Sequence, residues 1–561
     1  MALNSEIKGR GWLYLISLLI VLGGQGAINT HWGDSFWWQG DAPRHALNGA
    51  FVRDFVVEGG FLNPLAYAEL YYAHYPALTI MFYPPLFYLI EAIFFLIFGV
   101  AESVARLTVF SFYLFGVVGF YMLLRERIGR SWAFLATLML FSSRGIVFWS
   151  REVMLDIPLL SLEIWAVYFF FRYLKDEKGT FAILTSAFLL LALYVKQTAL
   201  FIAPVMLLHP AITGRREVYR NREVIYAVLG AFVLLLPLAA LTLKFGRINF
   251  FQSLSSKATG NRWPEKYSME SLVFYFKHLP ELLGYPILIS VVASLLVLPF
   301  VLKSAETRSF ILEQREFLVF LLLWMGANYL FFTYISVKEP RHFLGFLPPL
   351  VSFVVLIVSA LNRHKKLFFA VFVGLVFMAM VDNLKGNSPF VSGMDSVSRE
   401  IIASNSGGTI LYCGHYNGDF IFSCRRERKE RDMVILRASK VLFSSAVYSE
   451  WKYREYVKSF SDMDRVLREL AVQQILVEEP FTGKSSLEPL KVLESYIHSG
   501  KLRFVKRFEL IKYDRDAGQR AFYVDLWENP DFNLSDFKGV LKIPLPLIGK
   551  TIEVHLDIEG K

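Results

Sequence analysis

Over its first 382 residues the chain alternates long apolar blocks with short polar segments, and the length of the blocks predicts membrane-crossing helices. A helix needs about 17–25 mostly apolar residues to cross a bilayer. Such windows lie at roughly 11–29, 103–124, 131–150, 155–173, 180–195, 198–210, 223–243, 285–302, 316–335, 343–361 and 366–382. One more window, Tyr83 to Phe98 (YPPLFYLIEAIFFLIF), is apolar but short and opens on Pro84-Pro85. Beyond residue 383 the pattern shifts to short β-like runs, TILYCG, MVILRA, QQILVEE and AFYVDLW, among helical patterns at 439–459 and 461–473. The expected fold is a polytopic α-helical membrane protein of about 11 spans, with interfacial helices in its first long loop and a C-terminal soluble α/β domain. The expected boundary places the membrane part at 1–382 and the α/β domain at 383–561.

Basic residues decide how the 83–98 window is placed. Suppose the N-terminus, with Lys8 and Arg10, is cytoplasmic and 83–98 lies in the interface. Six segments then face the cytoplasm (the N-terminus, 125–130, 172–178, 214–222, 303–315 and 362–366) and hold 18 Lys or Arg. Residues 30–102, on the other side, hold only Arg44 and Arg53. If 83–98 crossed, the later basic loops would fall outside, against the cytoplasmic bias of Lys and Arg. The expectation is therefore eleven spans and an interfacial helix in the cytoplasmic (inner) membrane, with the C-terminal domain extracytoplasmic. Residues 11–29 read as a retained first span, because no small-residue cleavage site follows them.

Composition agrees with that class. The 561 residues are 55% hydrophobic, 16% aromatic and 19% charged, against about a quarter charged in soluble domains. Disorder and a small disulfide scaffold are excluded. The formal charge is +10, of which +8 belongs to residues 1–382. It is chiefly a topology signal and gives no support to nucleic-acid binding. Two cysteines, Cys413 and Cys424, cannot build a disulfide framework or a cysteine zinc site. They stand either as one pair or as two buried thiols.

Charges kept near spans are costly and ask for a reason. Asp41, Asp156, Lys196, Lys338, Arg341 and His342 are spread over 300 residues, yet all fall at outward-facing span ends. Each has a plain structural reading beside the chemical one. Asp41 and Asp156 precede Pro43 and Pro158 and suit helix N-termini. Lys196 and Lys338 suit snorkelling to the interface, and Arg341 suits a lipid phosphate. Arg151 and Arg144 suit pairing with Glu152 or Asp156. His45 and His74 read as interfacial polar residues or as ligands, and Trp37-Trp38 as an aromatic belt or a sugar platform. The first loop, about 70 residues long, exceeds what a mere connection needs. The loop at 244–284 is also long and carries six basic residues.

Several motifs, taken in order, resemble a known family. They are GDAPRHA after the first span, YPPLFYLIEAIFFLIFG at 83–99 followed by Arg106-Leu107, RERIG at 125–129, MLDIPLLS at 154–161, and YVKQTALF with KEPRHFLGFLPPL. Over roughly 11–382 the chain resembles the C-type (GT-C) polytopic glycosyltransferases, in the dolichyl-phosphate-mannose–protein mannosyltransferase-like group that includes the lipid A aminoarabinose transferases. The resemblance implies transfer of one sugar from a polyprenyl-phosphate donor to a lipid, glycan or protein acceptor at the outer face, usually with inversion. It implies Asp41 as base and Asp156 as the second acidic position, orienting or balancing charge. A phosphate leaving group needs cations more than an acid, which would make Lys196, Lys338, Arg341 and His342 the clamp.

Arg44, His45, Trp38, His74, Tyr83 and Arg151 are further expected substrate contacts. The chain departs from the family at Asp41-Ala42, where many members have Asp-Glu, and at Tyr83, where the lipid A transferases have Lys. The second departure weakens the case for lipid A phosphate as acceptor. A divalent cation bridging Asp41, Asp156 or His74 stays open. The competing readings are an oligosaccharide transferase or ligase with a polyprenyl-diphosphate donor, and a lipid or solute transporter.

Overall fold

The computed structural model describes residues 11–246, 253–254, 263–301, 303, 305–361, 365–385, 389–427, 433–446, 449–481, 487–514, 517–534, 540–545 and 550–555. Lys8, Arg10, Arg247, Lys257, Arg262 and Arg363 lie outside the described residues. Among the described residues, seven helices are long and apolar enough to cross a membrane: Gly11–Asn29, Glu102–Ile128, Asp156–Asp176, Arg222–Phe245, Arg315–Tyr334, Pro340–Ser359 and Lys366–Lys385. Shorter apolar helices, Leu86–Phe98, Arg130–Phe141, Gly179–Val195 and Gln197–Thr213, fill in between them. The Arg222–Phe245 helix is exposed around its circumference, with Tyr226, Phe232 and Leu243 all open. An exposed all-apolar helix is stable only against lipid.

Two expected boundaries are corrected. The window at 131–150 is two helices, Arg130–Phe141 and Arg144–Trp149. Its break falls at Ser142-Ser143, where the Ser143 hydroxyl bonds the Leu140 carbonyl at 2.6 Å. Serine competes in this way for carbonyls the helix would otherwise use. The region 244–284, expected as a loop, contains the helix Met269–Leu283, capped by Ser268, whose hydroxyl accepts the Ser271 N–H at 3.1 Å. It meets Tyr285–Pro299 at a 118° bend. Gly284 makes the turn at φ 75°, a conformation that favours glycine.

Charges sort to opposite ends of the helices. Glu126 pairs with Arg172 and Lys175 at 3.3 and 2.8 Å, and Arg215 pairs with Glu316 at 2.8 Å, tying the basic loops together. At the other end of its helix, Glu102 meets Arg426 of the C-terminal domain at 2.5 Å. In the first long loop, Ala42–Val57 packs on Leu86–Phe98 so tightly that a Cβ at Gly49 would lie 2.1 Å from Glu91 Oε2.

The C-terminal domain holds strands β1 (Phe390–Ser392), β2 (Thr409–Cys413), β3 (Ile435–Arg437), β4 (Phe443–Ala446), β5 (Ser449–Glu455), β6 (Val472–Glu479), β7 (Arg503–Asp514) and β8 (Gly518–Glu528). One sheet has the order β1-β7-β8-β6-β2-β3, with β2 parallel to both neighbours and β8 antiparallel to both of its own. All four β-like runs of the sequence are strands of this sheet. The helical pattern expected at 439–459 is corrected: β4 and β5 form an antiparallel hairpin there. Its aromatic content, Phe443, Trp451 and Tyr453, favours extended pairing. The pattern at 461–473 becomes the helix Phe460–Glu469. Cys413 and Cys424 are buried and unbonded.

The domain docks on the first loop. Arg425 Nε lies 2.6 Å from Asp54 Oδ2, its Nη2 reaches Oδ1, and the Tyr71 hydroxyl donates to Oδ2 at 2.9 Å. Asp419 accepts the Phe36 N–H at 2.8 Å, and Asp34 accepts the Gly393 N–H at 2.9 Å.

Candidate active site

A cavity of about 1050 Å³ lies between the first loop and the C-terminal domain. Asp41, Trp38, Trp149, Arg151 and Glu339 line its membrane side, and Arg437 and His415 line the side formed by the domain. Asp41 occupies the N-cap position of Ala42–Val57, but its side chain makes no capping hydrogen bond. It turns to Arg341 instead, with Oδ2 3.4 Å from Nη2. The capping role is thus absent and the charge is used elsewhere.

Arg341 is the hub. It comes from the turn Pro340–Phe346 and is buried just beneath the cavity floor. Its guanidinium lies 5.4 Å from the ring centroids of both Trp38 and Trp149. Its Nε is 2.6 Å from Glu339 Oε2 and 4.0 Å from Asp156 Oδ2. Neither contact is aligned as a hydrogen bond, so Arg341 Nε, Glu339 Oε2 and Asp156 Oδ2 are left without hydrogen-bond partners among the described residues. Asp156, at the start of Asp156–Asp176, receives Lys196 Nζ on its other oxygen at 2.7 Å. Lys196 reaches it because Gly179–Val195 ends one residue earlier and releases the chain into an extended conformation. Two cations and three carboxylates, from four separate places in the sequence, thus form one connected cluster.

Burial works to raise the Asp41 pKa, yet Arg341, His45 and Arg44 outweigh it and hold the carboxyl below its ordinary value. Asp41 is therefore ionised at neutral pH. Glu339 moves the opposite way, lifted by burial against the pull of Arg341. Burial pushes His45 down to about 4, with Asp41 opposing. The neutral His45 imidazole bonds the Tyr88 hydroxyl through Nδ1 at 2.8 Å and rests against Tyr83.

Of the expected clamp residues, Lys338 is turned away from the cluster, whereas His342 stays beside Asp156, Lys196 and Arg341. Lys338 donates to the carbonyls of Phe332, Thr333 and Ile335, with 3.0 Å to the first and 2.7 Å to the last. These are free acceptors at the C-terminal end of Arg315–Tyr334, so the buried ammonium caps that helix with all three of its protons. His342 stacks on Phe332 at 5.4 Å, and its buried Nδ1 has no hydrogen-bond partner among the described residues.

The other expected contacts divide between the cavity and the domain junction. Arg44 and Arg151 lie on the cavity wall. His74 Nδ1 is 3.3 Å from the Met433 carbonyl, across the junction. Trp37 donates to Asp514 at 2.7 Å, so the Trp37-Trp38 pair is enclosed and not part of a lipid-facing belt. A cation bridging Asp41, Asp156 or His74, left open by the sequence, does not fit this arrangement. Both aspartates are occupied by Arg341 and Lys196, His74 points away, and no three His, Cys, Asp or Glu side chains gather as ligands among the described residues.

Residues 83–240 match the family model of dolichyl-phosphate-mannose-protein mannosyltransferase. A structure of ArnT from Cupriavidus metallidurans bound to undecaprenyl phosphate superposes with a TM-score of 0.60 at 13% identity, covering 92% of this chain and 98% of that one. The apo state of the same protein gives 0.59 at 14% identity, covering 93% and 98%. The chain has the GT-C glycosyltransferase fold. The Archaeoglobus fulgidus oligosaccharyltransferase shares it at a TM-score of 0.52 and 11% identity, over 91% of this chain and 72% of that one. A sequence comparison with curated proteins finds no match. Within this fold, Asp41, Asp156, Lys196 and Arg341 come together as the sequence suggested. Glu339 and Trp149 were missed: Glu339 stands two residues from Arg341 in KEPRHF, whereas nothing in the sequence marks Trp149 as the second face of the guanidinium.

Proposed function

We propose that the chain transfers one sugar, with inversion, from a polyprenyl-phosphate carrier to a hydroxyl of a lipid, glycan or protein acceptor, at the extracytoplasmic face of the cytoplasmic membrane. The observation that carries this reading is the Arg341 cluster under the cavity floor, where a buried guanidinium keeps unsatisfied donor capacity. A phosphate is the group such a fork recognises. The family match and the fold shared with a carrier-bound neighbour support the same donor class.

The step balances in charge. Asp41 takes the proton of the acceptor hydroxyl, the acceptor oxygen bonds C1 of the sugar, and the C1–O bond to phosphate breaks. The carrier phosphate leaves as an anion held by Arg341 and Lys196. Once Asp41 is neutral, one fewer carboxylate competes for Arg341, so the cations are free when the leaving group needs them. A phosphate reaching Arg341 displaces Glu339, and the raised pKa of Glu339 lowers the cost of that exchange. Asp156 fixes Lys196 in place. Lys338 has no role in the clamp.

Transfer of label from a polyprenyl-phosphate sugar in membranes tests the reading. Asp41→Asn is expected to lower turnover by about 10²–10⁴-fold, and near-normal transfer would reject Asp41 as base. A reporter fused after residue 128 should read cytoplasmic and one after residue 390 external; the reverse pattern would overturn the orientation.

A further inference from the structure

The cavity wall carries two further cations, Arg44 and Arg437, with Lys440 close behind them. Arg44 reaches the cavity from Ala42–Val57, four positions before the Asn48–Phe51 stretch that packs inward, while Arg437 reaches it from the end of β3. Lys440 stands three residues further on, in the short helix Ala438–Val441. The three are close enough that Arg44 and Arg437 both disfavour the charge on Lys440, which burial first and then these neighbours push down to about 8. Arg437, likewise buried and beside Arg44, is pushed down to about 10.

Among the described residues no carboxylate lies within ion-pair distance of Arg437 or Lys440. Arg437 spends one nitrogen on the Pro76 carbonyl at 3.3 Å and leaves its buried Nε without a hydrogen-bond partner. Of the acids on the cavity wall, Asp41 and Glu339 face Arg341, Asp514 takes the Trp37 N–H and Lys512, and Glu281 is not within ion-pair distance of Arg437 or Lys440. Half-buried cations that repel one another and lack a counter-ion are unfavourable unless an anion completes them.

We infer that Arg44, Arg437 and Lys440 form an anion subsite for the acceptor, so that the acceptor presents a phosphate or carboxylate near the hydroxyl that is glycosylated. The inference rests on the transferase reading and deepens it. Arg44 serves both ends, since it also acts on Asp41. An anion held there partly neutralises Arg44, relieves its pull on Asp41 and makes Asp41 a better base once acceptor is bound. Because Arg437 and Lys440 belong to the C-terminal domain, that domain supplies acceptor selection.

The test uses the full-length protein in detergent, saturated with undecaprenyl phosphate so that the Arg341 end is filled. Glucose 1-phosphate, glucuronate and glucose are then titrated as phosphate, carboxylate and neutral probes. The wild type is expected to bind one or both anionic sugars in preference to glucose. Arg437→Gln with Lys440→Gln is expected to weaken that binding roughly tenfold, with undecaprenyl phosphate affinity unchanged within about twofold. Arg437→Lys should restore most of it. Lys440→Gln alone breaks no hydrogen bond among the described residues, so it keeps the test valid if the double variant does not fold. No preference for the anionic sugars in the wild type, or no change in the variants, overturns the subsite. A matching loss of undecaprenyl phosphate assigns these cations to the donor and also overturns it. Loss of carrier binding by the wild type itself would instead count against the transferase reading.

Discussion

Two buried arginines show what separates a fastener from a binding site. Arg425 is closed: Asp54 takes it through both carboxylate oxygens, Arg53 and Tyr71 complete the carboxylate, and neither Arg425 nor Asp54 lines the cavity above Arg341. Arg341 is open: three carboxylates share it at unequal distances, Nε is unaligned with any of them, and two indoles cover its faces. Burying a charge is tolerable only with good geometry and full hydrogen bonding. Arg425 meets that condition within the chain. Arg341 meets it only in part, and its neighbours Asp41, Glu339, Trp38 and Trp149 line a cavity. Incomplete satisfaction, more than burial or charge, marks the site.

The largest effect that can break this contrast belongs to the closed pair. Arg425→Gln leaves buried Asp54 with only Arg53 and Tyr71 as partners and is expected to cost up to about 3–5 kcal/mol, read as a fall in the unfolding midpoint and as increased proteolysis between the C-terminal domain and the first loop. An unchanged midpoint would mean the closed pair is no fastener.

His45 gives the next effect. Its pKa is depressed from 6.5 to about 4, so the folded state binds the proton less tightly than the unfolded one. The stability His45 contributes is complete above about pH 6.5 and is lost as pH falls towards 4, by roughly 3 kcal/mol. His45→Gln should flatten that slope in thermal unfolding measured across pH. A slope equally steep in the variant would show that other groups titrate.

Lys338 gives the smallest. Lys338→Met leaves three carbonyls without their donor and should cost about 1–3 kcal/mol of stability, while carrier-phosphate binding stays within about twofold. A tenfold loss of binding would return Lys338 to the clamp.

These same side chains show where sequence reading succeeded and where it stopped. Asp41, Asp156, Lys196 and Arg341 were legible because charge at the edge of an apolar span is costly and therefore rare. Four of the six strands of the central sheet were legible because their apolar runs are short and bounded. Lys338 was misread for the same reason that Arg341 was found: both are cations in KEPRHF or beside it, and only coordinates show that one bonds carbonyls and the other carboxylates. Glu339 and Trp149 act through distance in space, which no spacing encodes. Arg437 and Lys440 were invisible because a charge in a water-facing domain is ordinary and asks for no explanation. The hairpin at 443–455 was hidden by an amphipathic spacing that suits helix and strand alike over so short a stretch.

The most direct test compares the two arginines on one scale, by the affinity of the full-length protein for undecaprenyl phosphate. Arg341→Gln is expected to weaken binding about tenfold to a hundredfold in protein that remains folded, whereas any Arg425→Gln protein that remains folded should bind as the wild type does. Carrier binding that survives Arg341→Gln undiminished would contradict the account.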